Sequence, residues 1–198
     1  MAALAVGGML TACAGAPPLD TPTPTAQGLA AECAQGGCRT ARDIRLRRAD
    51  GSAWERHFDR LPPPVQAGLL VTLFAGETLH LDADVRQFRL EDLQVARPRA
   101  ATPPLTLHLA QDAAPASGMT LTIRNRYDDR LAFAAGVVGL DGGGIRRIMV
   151  CPVPGGAVQS IHLPDPAFQM VFTNFRLLPA EMETGCGKNP GGQASRRQ

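Results

Sequence analysis

The sequence holds one Trp and one Tyr among 198 residues, so an aromatic binding hot spot has little to be built from. Its single Lys is Lys188, and 20 Lys plus Arg against 18 Asp plus Glu leave a formal charge of +2. That balance excludes the concentrated basic footprint of a nucleic-acid binder. No apolar run approaches the ~20 residues that cross a bilayer as a helix. There is no CxxC, and no His stands at ligand spacing from a Cys, so no metal is expected. A GxSxG elbow, an HExxH helix, a phosphate-cradling glycine loop and a dinucleotide fingerprint are all missing, so no cofactor is expected either.

What the chain does contain is globular: 44% hydrophobic and 19% charged residues, ample to bury a core. With 21 Gly and 17 Pro, and no long stretch of 3.6-residue period, an all-helical fold is excluded. The body alternates apolar and polar residues instead, with turn signals recurring every ten residues or so.

The N-terminal residues carry a processing signal. Met1 to Ala12 is uncharged and small or apolar, which fits the apolar core of an export signal whose basic leader would lie upstream of Met1. Leu10-Thr11-Ala12-Cys13 then resembles the lipobox of bacterial membrane lipoproteins, in which the Cys is lipidated. The resemblance covers this segment only. It implies a mature chain starting at Cys13, held by its N-terminal lipid, with the remainder in the periplasm and the outer membrane favoured. Residues 14–31 hold four Pro, three Thr and one charge, the composition of a tether. At ~3.1 Å per residue in polyproline conformation it reaches about 55 Å.

Without Cys13, four cysteines remain: Cys33, Cys38, Cys151 and Cys186. An even number in an exported chain reads as disulfides. Proximity favours Cys33–Cys38 and Cys151–Cys186 among the three connectivities. Cys151 is placed on a strand like the nucleophile of cell-wall transpeptidases, but Ile148-Met149-Val150 replaces the Ser-His-Gly those enzymes carry before it. Disulfide use is the better account.

From residue 43 onward the pattern predicts about ten strands. Ile44–Arg48 and Trp54–Phe58 flank Asp50-Gly51, a hairpin signal. The same segment offers a competing helix capped by Ser52 and Glu55. Further strands are expected at 69–74, 77–85, 88–95, 105–109, 119–124, 131–140, 145–150, 158–163 and 168–178. In the 77–85 strand, Leu79, Leu81, Ala83 and Val85 should share one face. The expected fold is an all-β, immunoglobulin-like β-sandwich over residues 39–183, either one sandwich or two small lobes divided near 111–117. Residues 13–38 form the linker with its Cys loop, and 184–198 a flexible tail.

Two surface features stand out. His80, His108 and His162 each sit between apolar strand neighbours, on the polar face, and His80 with Asp82 is placed to form a His–carboxylate pair. Arg45 with Arg47, Arg97 with Arg99, and Arg124 with Arg126 are spaced i, i+2, so each pair shares a strand face suited to phosphates or carboxylates. No nucleophile accompanies the histidines. The expected function is therefore binding or assembly in the envelope, towards a protein or polymer partner, rather than catalysis. The rivals are a hydrolase or transferase with a dispersed site and an inhibitor or immunity-type lipoprotein.

Overall fold

In the computed structural model the described residues are 33, 38–66, 70–96, 102–114 and 118–179. The signal segment, Cys13, the linker, Arg97, Arg99, Cys186 and the tail lie outside them.

The hairpin, not the helix, forms first along the chain. Strands β1 (Arg42–Arg47) and β2 (Ala53–Phe58) pair antiparallel, with Leu46 opposite Trp54. Gly51 adopts a φ of 84°, and Asp50 Oδ1 accepts bonds from the Ser52 N–H at 2.9 Å and hydroxyl at 2.6 Å. The Asp-Gly reversal thus uses the Ser52 groups that a helix cap would have needed. One face of the ribbon buries Ile44, Leu46 and Trp54, and Trp54 stacks on Phe168 at 5.6 Å.

The remaining strands are β3 (Val65–Gln66), β4 (Leu70–Phe74), β5 (Glu77–Arg86), β6 (Arg89–Val95), β7 (Leu105–Gln111), β8 (Met119–Asn125), β9 (Arg130–Gly139), β10 (Ile145–Ile148), β11 (Val158–Leu163) and β12 (Ala167–Leu178). They join one antiparallel sheet in the order β10-β9-β12-β6-β5-β7-β8-β11, with β3 and β4 attached beside β12. The sheet folds over at the single Arg176–Arg89 pairing between β12 and β6. A layer of β10-β9-β12-β4-β3 then faces a layer of β6-β5-β7-β8-β11 across one core, a β-sandwich. Leu105, Leu107 and Leu109 of β7 and Met119, Leu121 and Ile123 of β8 are fully buried there, because each strand turns alternate residues inward.

The structure corrects several expectations. A division into two lobes near 111–117 does not occur, since β7 and β8 pair along their whole length on either side of that turn. Among the described residues there are twelve strands against about ten expected, and the two-residue β3 matches none of the expected segments. In β5 the inward face runs through Leu79, Leu81 and Ala83, but Val85, opposite the buried Leu90 near the end of the strand, is 46% exposed. The register slips between Asp82 and Asp84, where β6 carries an extra residue and Asp92 takes a φ of 48°, so that Leu90 and Leu93, three residues apart, both turn inward. Phe88, expected to open a strand, sits in the β5–β6 turn with a φ of 65°.

The chain joins the sandwich at Arg39, directly after the Cys33–Cys38 disulfide. Arg39 Nη1 donates to Glu77 Oε1 at 2.6 Å, Nη2 to the Thr72 carbonyl at 3.0 Å, and Nε to the Pro62 carbonyl at 2.8 Å. Its guanidinium lies 4.8 Å from the centre of the Phe74 ring. Burial lowers the Arg39 pKa while Glu77 opposes the shift, so the charge is held by its partner. Asn125, fully buried, ties the far side: its amide nitrogen lies 2.9 Å from the Asp129 carbonyl and 3.1 Å from those of Val153 and Pro154.

Candidate functional site

Strand alternation turns the even-numbered residues of β5, β7, β8 and β11 away from the core, and cross-strand register stacks them into rungs. One rung runs Thr78, His108, Thr122, Ser160; the next runs His80, Thr106, Arg124, Val158; a third runs Ala110, Thr120, His162. Three histidines and four threonines therefore share one polar face. Residues far apart in sequence, from 78 to 162, meet there only through the register.

Hydrogen bonds organise this face. The Thr78 hydroxyl lies 2.8 Å from His108 Nδ1, which is also 3.2 Å from the Glu77 carbonyl. A carbonyl only accepts, so the contact with Glu77 is a hydrogen bond when Nδ1 carries the proton. His80 Nδ1 meets the Thr106 hydroxyl directly across the ladder at 3.2 Å. The expected His80–Asp82 pair is not formed, because Thr106 is nearer than the i+2 neighbour, and Asp82 Oδ1 accepts the Ala83 N–H instead. The His–carboxylate contact on this face is a different one. His162 Nδ1 lies 3.0 Å from Asp112 Oδ2, and the Thr120 hydroxyl donates to Asp112 Oδ1 at 2.6 Å. Gly118 makes room for that contact: a Cβ there would stand 2.6 Å from the Leu163 carbonyl and 2.9 Å from Asp112 Oδ2. Nothing local in the sequence announces the pair.

The face ends at an open edge. β11 pairs with β8 on one side, and among the described residues no strand lies along its other side. The bond from the Asn125 N–H to the Ala157 carbonyl at 2.9 Å fixes the alternation, so Val158, Ser160 and His162 direct their backbone N–H and C=O groups outward.

The arginines are placed separately. Arg45 pairs with Glu55 at 2.8 Å in solvent, while the Arg47 guanidinium donates to the Asp112 carbonyl at 2.7 Å. With the Arg47 N–H bonded to Gln111 Oε1 at 2.9 Å, this docks the β1–β2 ribbon on the end of β7. Arg124 and Arg126 sit at the opposite end of β8, both exposed. The four described members thus form two separate groups rather than a continuous ladder.

Three further sites complete the inventory. A cleft of about 490 Å³ opens between the β1–β2 and β9–β10 turns, lined by Arg48, Asp50, Asp141, Arg146 and Asp165. Its charges compensate in exposed pairs, Arg48–Asp141 and Arg146–Asp165, each at 3.5 Å. His57 lies on the ribbon, 2.6 Å from Asp43 and 3.3 Å from Asp59, and the bond to Asp43 raises its pKa. Burial, with a contribution from Asp82, raises the Tyr127 phenol to about 12.

Cys151 is disulfide-bonded, so its sulfur is not a nucleophilic thiolate. With Cys33 and Cys38 joined to each other, the expected partner is Cys186. Among the described residues no three His, Cys, Asp or Glu side chains converge as metal ligands, and no helix is long and apolar enough to cross a membrane. Compared with known protein families, curated proteins and solved structures, the chain matches none.

Proposed function

We propose that this chain is a lipid-anchored protein of the bacterial cell envelope whose β-sandwich is a non-catalytic binding or assembly module, docking a partner protein by strand addition along β11. The observation that carries the reading is the open β11 edge, where three consecutive outward residues offer unpaired backbone donors and acceptors. An extended segment laid there gains a ladder of main-chain bonds, while Ser160, His162 and the exposed Val158 supply side-chain selectivity. The Leu10-Thr11-Ala12-Cys13 motif supports the anchor, and even cysteine use supports an oxidising compartment.

The test uses Ser160→Pro. Proline removes one outward N–H without touching the ladder to β8, so the fold should survive at an edge position. Crosslinking in intact cells should join the unaltered chain to a discrete partner, and Ser160→Pro should lose that adduct while still fractionating with membranes. An adduct of undiminished yield from a folded Ser160→Pro chain contradicts edge docking.

One observation favours a hydrolytic reading: Ser160 is two residues from His162 on the same face, and His162 contacts Asp112 at 3.0 Å. A serine-reactive fluorophosphonate probe separates the two. Labelling of the unaltered chain that Ser160→Ala and His162→Gln both abolish supports hydrolysis; no labelling supports the binding module.

A further inference from the structure

At the end of the sandwich where the sheet folds over, register brings three arginines onto one rung. Arg86 of β5 stands opposite Arg89 of β6, and Arg89 stands opposite Arg176 of β12. Adjacent strands lie ~4.8 Å apart, so the three arginine side chains leave the backbone side by side on one outward face. Like charges directly opposite one another oppose strand pairing. The acids on this face are Glu91, which reaches Arg86 at 3.7 Å, and Asp84, opposite Glu91. Among the described residues neither Arg89 nor Arg176 has an ion-pair partner, and both are exposed.

A second feature adjoins the rung. Arg86 and Arg89 bracket a two-residue turn in which Gln87 and Phe88 have φ values of 47° and 65°. A bulky side chain in the left-handed region is costly, and such strain persists only where neighbours enforce it. Here the Phe88 carbonyl accepts the Leu177 N–H at 2.7 Å, fastening the turn to β12. β12 itself bulges between Thr173 and Arg176, with Asn174 at a φ of 57°, and the bulge turns Arg176 outward. The outcome is a fixed tip that holds Phe88 53% exposed next to Arg89 in the chain. Glycine would fit this turn without strain, yet the position carries an exposed aromatic next to unpaired cations.

We infer that the β5–β6 tip docks on an anionic membrane surface, the Arg86–Arg89–Arg176 rung binding lipid phosphates while Phe88 enters the interfacial layer. Charge complementarity selects the phosphate, and the exposed Phe88 selects a lipid over a soluble anion. Aromatic side chains suit the headgroup level, and guanidinium forks match phosphate oxygens. This site lies apart from the β11 edge, and its test is independent of lipidation.

The experiment takes the full chain as Cys13→Ser, which cannot receive the lipid, and measures cosedimentation with vesicles of phosphatidylcholine alone or enriched in phosphatidylglycerol. Binding should require phosphatidylglycerol and fall with added salt. Arg89→Gln and Arg176→Gln should each weaken it about fivefold, the loss expected for one basic residue at an anionic surface. Phe88→Gly should weaken it while the melting temperature holds or rises, a combination that damage to the fold cannot produce. Equal binding by Arg89→Gln/Arg176→Gln overturns the proposal. So does inorganic phosphate competing fully while Phe88→Gly binds normally, since that describes a soluble-anion site.

Discussion

His162 and Asp112, on opposite sides of the β7–β8 hairpin and its neighbour β11, meet at 3.0 Å over the one residue there that has no side chain, Gly118. Asp112 is a junction. Its carboxylate holds His162 and Thr120, its N–H bonds the Gly118 carbonyl at 2.9 Å, and its carbonyl takes Arg47 at 2.7 Å. The polar face, the β7–β8 turn and the β1–β2 ribbon are therefore mechanically linked, next to the open edge.

Gly118→Ala should destabilise the chain. Its Cβ would meet the Leu163 carbonyl at 2.6 Å, and backbone cannot step aside as a flexible side chain can. An overpacking cost of about 1–3 kcal/mol is expected in chemical denaturation. The unaltered stability of Gly118→Ala would show that β11 is free to shift.

Removing the Arg39 guanidinium should cost more than removing the pair. Side-chain exposures of 14% and 12% put Arg39 and Glu77 out of most solvent. Arg39→Ala strands the Glu77 carboxylate, for a loss of roughly 3 kcal/mol, and adding Glu77→Gln should return part of it. Denaturation of the single and double variants checks the order. A double variant as unstable as the sum of both singles contradicts the clamp.

His57 should give the ribbon a pH-dependent contribution of defined sign. Its hydrogen bond to Asp43 raises the folded pKa above that of the unfolded chain. The resulting stabilisation is fully present below the unfolded value of about 6.5 and is lost as pH rises through the folded value. NMR titration should place His57 above an ordinary histidine, and the stability difference from His57→Gln should vanish at alkaline pH. A difference that grows with pH would contradict the sign.

Two disulfides should be found in protein isolated from its native host, Cys33–Cys38 and Cys151–Cys186. On a chain-entropy estimate the ~35-residue span of the second contributes roughly 3–4 kcal/mol and the small first loop about 2. Reduction should lower stability mainly through Cys151. Peptide mapping that finds Cys186 as a free thiol contradicts the pairing.

Much of the fold was legible because its signals are local. Asp50-Gly51 marks a turn whatever lies elsewhere, and the Leu105-Leu107-Leu109 alternation needs only a pleated strand with one buried face. The site was less legible because it depends on register. The strand period points His80 to Asp82, its neighbour along the strand, yet it bonds Thr106, its neighbour across the ladder. Asp112 with His162, and Arg86 with Arg89 and Arg176, meet only once β8 and β12 are in place. The extra residue at Asp92 leaves no mark in the sequence alternation, and nothing local distinguishes Val85 and Phe88, at the tip of the β5–β6 hairpin, from buried strand residues.

The proposed anchoring at a membrane through Cys13 is tested most directly by the intact mass of the N-terminal peptide, isolated from the native host. The expected peptide begins at Cys13 and carries a thioether-linked diacylglyceryl group with an amide-linked acyl chain. Such chains anchor stably at ~0.8 kcal/mol per buried methylene. An unmodified peptide beginning at any other residue would contradict the anchor, and with it the placement of this β-sandwich in the envelope.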